Sequence, residues 1–368
     1  MRIAYLLPAA GIPVQGPSGS SAHVRGLVHA LAAEHDVRLY AAQALDRRGR
    51  FGEATPAAVS GVASWPGVLK GWRELREVRT ARRVARRVAS DAWMGWKPDL
   101  IIERHTLFSD AGWRLHERLG VPWVLEVNAP PVYERRRFEE IVKRRLADRW
   151  ERSVLQAAPV VVTVSRWLVR WLQEEIGCRN VVWVPNGVWP IRGNRQRGRD
   201  FLGLSPDEPL VGFVGSMKPW HGVDRLAEVA AGASARLVVA GRVEKGTLPP
   251  SALTPGFLDP QSLADVIAAM DVGLAPYPAE APPWFCPLKV LAYRAQGTPV
   301  VATDVGEVAT LVESAGTIVP PEDTDAIITS VCAWMGRRTV PRVRSWRSVA
   351  REMVAAAEAA ESGPAAAR

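Results

Sequence analysis

The chain contains 368 residues, with 47 Lys and Arg against 38 Asp and Glu, which gives a formal net charge of +9. Hydrophobic residues make up 48% and charged residues 23%, as in an ordinary globular protein, so disordered, collagen-like and disulfide-scaffold classes are excluded. At about 100–200 residues per domain, this length predicts two domains. Three widely separated cysteines lack the spacing of metal ligands and are expected to be reduced thiols.

The sequence shows no sign of a membrane span or a signal peptide. No apolar stretch reaches the roughly 18–20 residues that a membrane-spanning helix needs. Met1 and Arg2 lead directly into the strand-like apolar segment 3–7 instead of the core of a signal peptide. We therefore expect a cytoplasmic protein.

The first half of the chain alternates strand-like and helical segments. Residues 3–9 are apolar, residues 11–21 are rich in Gly, Pro and Ser, and residues 22–31 have helical periodicity. This order predicts a strand, a glycine-rich loop and a helix. Further strands are predicted at the apolar segments 37–41, 100–103, 123–127, 160–164 and 181–184. Such alternation indicates a parallel sheet covered on both faces, as in doubly wound folds.

A polar stretch without apolar periodicity, residues 192–199, follows the first half and is interpreted as an exposed connector. The alternation then restarts, with strands predicted at 210–214, 235–240, 272–275 and 299–302. We therefore predict an α/β protein with two Rossmann-like domains facing each other across a cleft. Their predicted ranges are 1–190 and 191–338, and a C-terminal helix within 339–368 is expected to pack back toward the first domain and to fray at its end.

Ligands of doubly wound folds bind at the carboxyl ends of the strands, so the loops after strands are the candidates for chemistry. One such loop contains Gly215, which permits close backbone approach, followed by Lys218 and His221. Lys218 is suited to bind phosphate oxygens together with backbone N–H groups. A solvated lysine on an ordinary strand–helix turn is the alternative.

A second loop of this kind precedes a predicted helix that starts after Pro287. Proline suits a first helical turn and leaves the next backbone N–H groups directed at an anion, with Lys289 close by. For Lys289, too, a solvated position on a helix face is the alternative. Two phosphate-sized sites in one half predict a diphosphate ligand. The Asp and Glu residues are scattered, so no metal site is expected.

Together, these motifs resemble glycosyltransferase family 4 in their order and spacing. The resemblance implies the GT-B fold and a retaining transfer of a sugar from a UDP- or GDP-linked donor to a small polar acceptor, with no metal or other cofactor. A role in natural-product or antibiotic biosynthesis, and an acceptor that is cationic, are further expectations. The resemblance rests on the loop around 16–19 and on the segments 126–130, 164–165, 184–188, 213–222, 271–277 and 287–302.

The resemblance also implies roles for individual residues. The catalytic residues are expected to be Lys218, His221, Asn128 and His105, with Asn128 orienting substrate hydroxyls. The acceptor is expected to contact His23, Glu126 and Asn128, although Glu126 has the alternative of holding a loop and His105 that of a surface histidine. The donor, with its nucleobase near 256–258, is expected to contact Gly19, Gly215, Ser216, Lys218, Phe257, Leu258, Trp284, Phe285, Cys286, Pro287, Leu288 and Lys289.

Two positions depart from a pattern that is common in this family. Many members carry two glutamates eight positions apart, the second of which hydrogen-bonds the ribose, whereas this chain has Trp284 and Ala292 there. Loss of one charged hydrogen bond costs on the order of 1.5–3 kcal/mol, which weakens donor binding without abolishing transfer. The alternative function is a non-catalytic relative of the same fold that binds a nucleotide, a sugar or a partner protein.

Two basic runs, 73–87 and 135–152, are predicted to be helical. Acidic residues interrupt both runs, so a solvated or inter-helix face is favoured over binding to RNA or acidic lipid. We expect no nucleic-acid partner, rank peripheral membrane contact as the lesser alternative, and expect a monomer or a homodimer.

Overall fold

The computed structural model describes residues 1–42, 67–138, 141–244 and 246–362. The chain divides into two compact units. The first unit comprises residues 1–185 together with the C-terminal segment from Arg347, and the second unit comprises residues 186–346. The predicted fraying of the extreme C-terminus falls on residues 363–368, outside the described residues. None of the described helices is long and apolar enough to cross a membrane.

The first unit is built on a six-stranded parallel sheet with the order β2-β1-β3-β4-β5-β6. The strands are β1 (Arg2–Leu7), β2 (Asp36–Ala41), β3 (Leu100–Arg104), β4 (Trp123–Val127), β5 (Val160–Thr163) and β6 (Val181–Trp183). The helices are α1 (Gly19–Ala32), α2 (Gly67–Trp93), α3 (Ala111–Leu119), α4 (Pro131–Phe138), α5 (Arg144–Ala157) and α6 (Arg166–Arg170), the last continued by a π-helical turn at Trp171–Ile176. Residues 3–7 of β1 are fully buried, as expected for a parallel strand covered on both faces.

The second unit repeats this design, with the strand order β12-β11-β10-β7-β8-β9. Its strands are β7 (Leu210–Val214), β8 (Arg236–Ala240), β9 (Leu253–Gly256), β10 (Val272–Ala275), β11 (Val300–Thr303) and β12 (Gly316–Val319). Its helices are α7 (Arg195–Leu202), α8 (Leu226–Gly232), α9 (Pro260–Ala269), α10 (Leu288–Ala295), α11 (Val308–Val312) and α12 (Thr324–Trp334), with two short 3-10 turns at Pro219–His221 and Val223–Arg225.

A last helix, α13 (Trp346–Ser362), belongs from Arg347 onward to the first unit. There, Glu34 after α1 accepts a hydrogen bond of 2.7 Å from the guanidinium of Arg351. The structure therefore places the start of the second unit at Asn186 and its end at Trp346, whereas the predicted ranges are 191–338 for the second domain and 339–368 for the tail.

Sequence reasoning missed two strands, both in the second unit. β9 contains Pro255 and Gly256, which argue against a strand, but it lies at an edge of the sheet, where proline is tolerated. β12 is a short and only partly buried edge strand. Neither has the continuous apolar run by which the central strands were predicted.

The interpretation of residues 192–199 as an exposed connector is wrong. From Arg195 on they form α7, whose start is capped by the Asn194 side chain, which accepts from the backbone N–H of Arg197. Arg199 is 1% exposed, because its guanidinium donates to backbone carbonyls of neighbouring segments. A Cβ on Gly198 would stand 2.1 Å from the carbonyl oxygen of Asp265, so the missing side chain is what lets α7 lie directly against α9.

In each sheet, strands that follow one another in the chain are added on one side of the first strand up to a certain point, and the later strands are added on its other side. This change of side occurs at one position in each sheet. It lies between β1 and β3 in the first unit and between β7 and β10 in the second. Loops after two such strands diverge to opposite faces of the sheet and leave a crevice, where ligands of doubly wound folds bind. These two crevices are therefore the places to look for a site in each unit.

Candidate active site

In the second unit, a glycine directly follows each of two adjacent strands, β7 and β8. Gly215 follows β7 with φ 136°, and Gly241 follows β8 with φ 145°, a backbone region that L side chains rarely adopt. A Cβ on Gly241 would stand 2.2 Å from the carbonyl oxygen of Gly215. Glycine at both positions lets these two loops pass at close distance, and the missing side chain of Gly215 leaves the space of a Cβ unfilled.

Lys289 in the first turn of α10 is buried next to this space. Its Nζ lies 3.6 Å from the centroid of the Phe213 ring and 5.2 Å from that of Tyr277. Among the described residues Nζ has no hydrogen-bond partner, and burial lowers the pKa of the ammonium well below its usual value. A Cβ on Gly215 would be 3.6 Å from Nζ. The alternative of a solvated lysine is therefore wrong, because the Lys289 ammonium lies inside the second unit, next to Gly215.

His221 lies inward in the same loop. Its Nδ1 donates to the backbone carbonyl of Ser216 at 2.6 Å, and its ring packs against Phe213 and Tyr277. Burial, aided by the charge of Lys289, lowers the pKa of His221 to about 3. His221 is therefore neutral at pH 7, and it holds the loop that starts at Ser216.

Lys218 differs from Lys289 and His221 in that its side chain is exposed. It precedes the 3-10 turn Pro219–His221, and its Nζ lies 5.7 Å from the centroid of the Trp220 ring. The loop ends at Gly222, which has φ 63°, and a Cβ there would overlap the carbonyl oxygen of Pro276. Gly222 thus joins the loop after β7 to the loop after β10.

The segment before α10 is anchored from inside the unit. The carbonyl of Cys286 accepts from the Asn186 side chain at 2.8 Å, and Phe285 packs on Tyr277 with ring centroids 4.6 Å apart. The side chains of Trp284 and Cys286 are buried, and burial raises the pKa of the Cys286 thiol to about 12. Contact of these two residues with a donor therefore depends on their backbone. Pro287 is the last residue before α10, and the half-buried Leu288 is the first residue within it.

Phe257 and Leu258 follow β9 at the edge of the same sheet. Phe257 is 55% exposed and Leu258 is half-buried. Because β8 lies between β7 and β9, this segment is two strands away from Gly215. Neighbouring strands are about 4.8 Å apart, so the separation across the sheet is roughly 10 Å.

A residue that sequence reasoning missed connects the two strands of the crevice. The hydroxyl of Tyr293 accepts from the backbone N–H of Val214 at 2.9 Å and lies 3.3 Å from the carbonyl of Leu274, to which it donates. Its ring covers Gly273, where a Cβ would stand 2.6 Å from ring atoms. Tyr293 fixes the ends of β7 and β10, but an aromatic residue in a helical apolar pattern carries no sequence signal for this role.

In the first unit, Glu126 is the centre of a buried polar cluster. Its carboxylate accepts from Tyr5 Oη at 2.6 Å, contacts His23 Nε2, and lies 3.3 Å from Arg104 Nη1. Burial opposes its ionisation, but the charges of His23 and Arg104 prevail and hold the pKa of this carboxyl far below its usual value. Glu126 is thus a fixed anion, and Tyr5 and Arg104 are members of the cluster that sequence reasoning did not single out.

This cluster holds Asn128. The Nδ2 of Asn128 donates to Glu126 Oε1 at 2.6 Å, and Asn128 is only half-buried. His23 and Glu126 are 5% and 2% exposed, so the alternative in which Glu126 holds a loop describes its place better than acceptor contact does. Asn128 is the member of the predicted acceptor set that retains exposed surface.

The His105 side chain is buried, so the surface alternative is wrong. Its Nε2 lies 3.8 Å from Glu151 Oε1, which also accepts from the backbone N–H of Val132 at 3.0 Å. Its backbone N–H donates to the carbonyl of Glu126 at 2.8 Å. The imidazole thus lies between the end of β3 and the helices α4 and α5.

Gly19 is the exposed first residue of α1, with no atom within 4 Å of the place a Cβ would take. Ser18 caps the helix, since its Oγ accepts from the backbone N–H of Ser21 at 3.1 Å. Arg25 donates to the carbonyls of Val14 and Gly16, which holds the glycine-rich loop against α1. Within the described ranges, no group of three or more His, Cys, Asp or Glu side chains is arranged to hold a metal ion.

The two doubly wound parallel-sheet units define a protein of the GT-B fold class. Residues 17–190 match the family model Glycosyltransferase Family 4, and residues 208–336 match the model Glycosyl transferases group 1. The two models together cover most of the chain, which belongs to glycosyltransferase family 4. The family predicted from the motifs is confirmed.

Curated relatives agree with this assignment. The chain is 29% identical over 286 residues to a D-inositol 3-phosphate glycosyltransferase of Nocardia farcinica, covering 68% of this chain and 62% of the relative. It therefore spans less than two thirds of that relative's length. It is 41% identical over 107 residues, 28% of each chain, to a GDP-mannose-dependent alpha-mannosyltransferase of Mycolicibacterium smegmatis.

Solved structures show the same fold along nearly the whole chain. Sucrose-phosphate synthase from Thermosynechococcus elongatus superposes with a TM-score of 0.66 at 22% identity, covering 98% of this chain and 96% of that one. Anabaena HepE in complex with UDP-glucose gives a TM-score of 0.63 at 15% identity, covering 98% and 100%. The predicted GT-B fold, with two doubly wound parallel sheets, is confirmed.

Proposed function

We propose that this protein transfers a glycosyl group, with retention of configuration, from a UDP- or GDP-sugar to a small polar acceptor. The observation that carries the proposal is Lys289, a buried ammonium that has no hydrogen-bond partner among the described residues and whose Nζ would lie 3.6 Å from a Cβ on Gly215. A buried cation is costly unless an anion accompanies it. A diphosphate in the crevice would supply that anion.

A residue suited to contact a nucleobase lies on the same sheet of the second unit. The exposed Phe257 is roughly 10 Å from Gly215 across the sheet, a separation suited to a nucleobase and its diphosphate. In this proposal the nucleobase lies at the end of β9 and the diphosphate at the ends of β7 and β10. The first backbone N–H groups of α10, after Pro287, add partial positive charge beside the diphosphate.

In the reaction, the bond between the sugar carbon and the diphosphate oxygen breaks while the acceptor hydroxyl bonds to the same face of that carbon. The hydroxyl proton passes to the departing diphosphate. Negative charge therefore builds up on the diphosphate, and preorganised cations that stabilise it lower the barrier by several kcal/mol. Lys289 and Lys218 take this role. Because these protein cations neutralise the diphosphate, the proposal includes no metal cofactor.

In the first unit, Asn128 is proposed to orient the acceptor. Its side chain is fixed by the charged Glu126 but keeps exposed surface at the end of β4. The names of the relatives suggest the first compounds to test, GDP-mannose as donor and D-inositol 3-phosphate as acceptor. A role in natural-product biosynthesis and a cationic acceptor stay predictions.

A second candidate function has one specific observation in its favour. The half-buried position 292 on α10 is alanine, so it offers no carboxylate to a ribose. A relative that binds a nucleotide or a partner protein without transferring a sugar is consistent with this residue. Binding without turnover would distinguish this candidate from the enzyme.

The test is a transfer assay with a panel of UDP- and GDP-sugars and polar acceptors, in the presence and absence of EDTA, alongside calorimetry with UDP and GDP. We expect one nucleotide to bind, and transfer from the matching donor to continue in EDTA. Nucleotide binding without transfer or donor hydrolysis would support the non-catalytic candidate. No binding of any nucleotide diphosphate would refute the enzyme and would leave, of the second candidate, only a relative that binds a partner protein.

A further inference from the structure

The first unit carries an exposed surface on which large apolar side chains lie among cations. We call it the basic–apolar patch. Apolar side chains on protein surfaces are usually scattered singly, whereas a contiguous group surrounded by charges marks an interaction site. Its members are Trp72 (55% exposed), Leu75 (42%), Val142 (51%) and Leu146 (43%), together with the exposed Lys143, Arg144 and Arg145.

Hydrogen bonds show that the two parts of the patch adjoin. Glu74 on α2 is buried, and its carboxylate accepts from the backbone N–H groups of Val142 at 2.8 Å and Lys143 at 3.4 Å. Trp72 and Leu75 belong to the same part of α2 as Glu74. The two parts of the patch therefore lie on neighbouring elements, α2 and the segment that opens α5.

The apolar members of the patch are not unfilled core positions. Beneath them, Ile141 and Ala147 pack with Val132 in a buried cluster that also includes residues of the loop after β3. Ile141 and Ala147, which flank 142–146, are the residues of this segment that pack into the core. The side chains of Val142 and Leu146 point outward and are not part of that core.

Three described acidic side chains near the patch bind groups other than its three cationic side chains. Glu74 is used by two backbone N–H groups, and Glu77 holds Arg135 through both of its oxygens. Asp148 pairs with Arg136. Within 142–146, three consecutive cations lie between two exposed apolar residues.

We propose that the basic–apolar patch docks this protein on an anionic lipid surface. Lys143, Arg144 and Arg145 would contact lipid phosphates, while the apolar members enter the boundary between headgroups and acyl chains. Three of the four apolar members are aliphatic and cannot stack on nucleobases, which disfavours single-stranded RNA as the occupant.

The expected strength follows from the number of cations. Each Lys or Arg near an anionic membrane strengthens binding about fivefold, so three contribute roughly a hundredfold. Their reversal to glutamate has at least that effect. The apolar side chains contribute independently of salt, whereas the charge contribution falls as ionic strength rises.

The test is flotation of the purified full chain with phosphatidylcholine vesicles, with and without phosphatidylglycerol, at two salt concentrations. The charge variant combines Lys143→Glu, Arg144→Glu and Arg145→Glu. Its control reverses three exposed cations elsewhere in the first unit: Lys97→Glu, Arg118→Glu and Arg179→Glu. The apolar variant, Val142→Ser with Leu146→Ser, is matched by Val340→Ser with Val343→Ser, both exposed in the second unit.

We expect the wild type to float only with the anionic vesicles, the charge variant to lose about a hundredfold in apparent affinity, and the apolar variant to lose binding that high salt does not remove. Both control variants should bind as the wild type does. Equal binding to both vesicle types, equal loss in patch and control variants, or binding of RNA in place of vesicles would overturn the proposal. The apolar variant keeps all charges, so it decides the matter if the charge variant is unstable. No step depends on nucleotide binding or transfer.

Discussion

The ammonium nitrogen of Lys289 lies 3.6 Å from the centroid of the Phe213 ring, in the interior of the second unit. A ring face attracts a cation, but it does not replace the hydration that the ammonium loses on burial. The folded second unit therefore bears a cost that an entering anion removes. This relationship supports the proposal that the crevice between β7 and β10 binds an anion.

The first prediction concerns Lys289→Met, which keeps the volume of the side chain and removes its charge. We expect the affinity for the matching nucleotide diphosphate to fall roughly 10- to 100-fold, since a charged hydrogen bond contributes about 1.5–3 kcal/mol. We also expect the free energy of unfolding to stay equal or to rise, because an unpaired buried charge is removed. Calorimetry and denaturation measure the two effects, with the exposed Lys97→Met as control. Unchanged nucleotide affinity would contradict the proposed site.

The second prediction concerns protons. Because the pKa of Lys289 is well below its usual value, a part of the free protein carries a neutral amine at alkaline pH. A bound diphosphate favours the ammonium and raises this pKa, so binding should take up as much as about one proton. Calorimetry in buffers that differ in ionisation enthalpy measures the uptake. Lys289→Met should abolish it, and an equal uptake in that variant would assign the proton to another group.

The third prediction concerns acid stability. The pKa of His221 is about 3 in the folded protein and near 6.5 in the unfolded chain, so the unfolded chain binds more protons between these values. The free energy of unfolding is therefore unaffected by His221 above pH 7 and falls as pH drops toward 3. Between pH 7 and 4.5 the wild type should lose about 2–3 kcal/mol more than His221→Gln, which still can donate to Ser216. An equal loss of unfolding free energy in the wild type and in His221→Gln between the two pH values would rule this out.

The fourth prediction separates Glu126 from Asn128. Glu126→Gln leaves Arg104 buried without its anion, which should cost about 3–5 kcal/mol of stability, and it weakens the hold on Asn128. Asn128→Ala should raise the acceptor KM with a smaller loss of stability. Both variants should keep the donor affinity, since the proposed donor site belongs to the second unit. An unchanged acceptor KM in Asn128→Ala would remove the proposed role of this residue.

The fifth prediction concerns the packing of α7. Gly198→Ala raises helix propensity, yet it should destabilise the second unit by about 1–3 kcal/mol, because its Cβ would stand 2.1 Å from the Asp265 carbonyl oxygen. Gly19→Ala, at a helical position with open space around it, should be neutral or stabilising. Scanning calorimetry compares the two. A stabilised Gly198→Ala protein would show that α7 does not pack closely on α9.

Lys218 and Lys289, the two lysines of the proposed donor site, show which features the sequence predicts and which it does not. The sequence correctly predicted Lys218 in a loop after a strand and Lys289 at the start of a helix, because a strand followed by a glycine and then a helix has a recognisable pattern. It did not indicate that Lys218 is exposed whereas Lys289 is buried. That difference depends on Phe213 in β7 and on Tyr277 in the loop after β10, which pack against the Lys289 ammonium.

The local sequence pattern also failed to predict α7. Residues 192–199, which include the start of this helix, have the composition of a linker. Only the glycines at 193 and 198, which lack side chains, indicate a close neighbour. The neighbour, α9, begins about 60 residues later, and its Asp265 pairs with Arg197. A charged helix of this kind is stabilised by partners that no short window of sequence contains.

By itself, the sequence determined the two parallel sheets, the family and the loops that carry the site, because alternating apolar strands, glycines and helix starts are local properties of the chain. Only the tertiary structure decided which charges are buried, which histidine is neutral, and that Glu126 supports Asn128 instead of facing solvent. Those properties depend on desolvation and on charge pairs between residues distant in sequence, and burial is set by the packing of the whole unit.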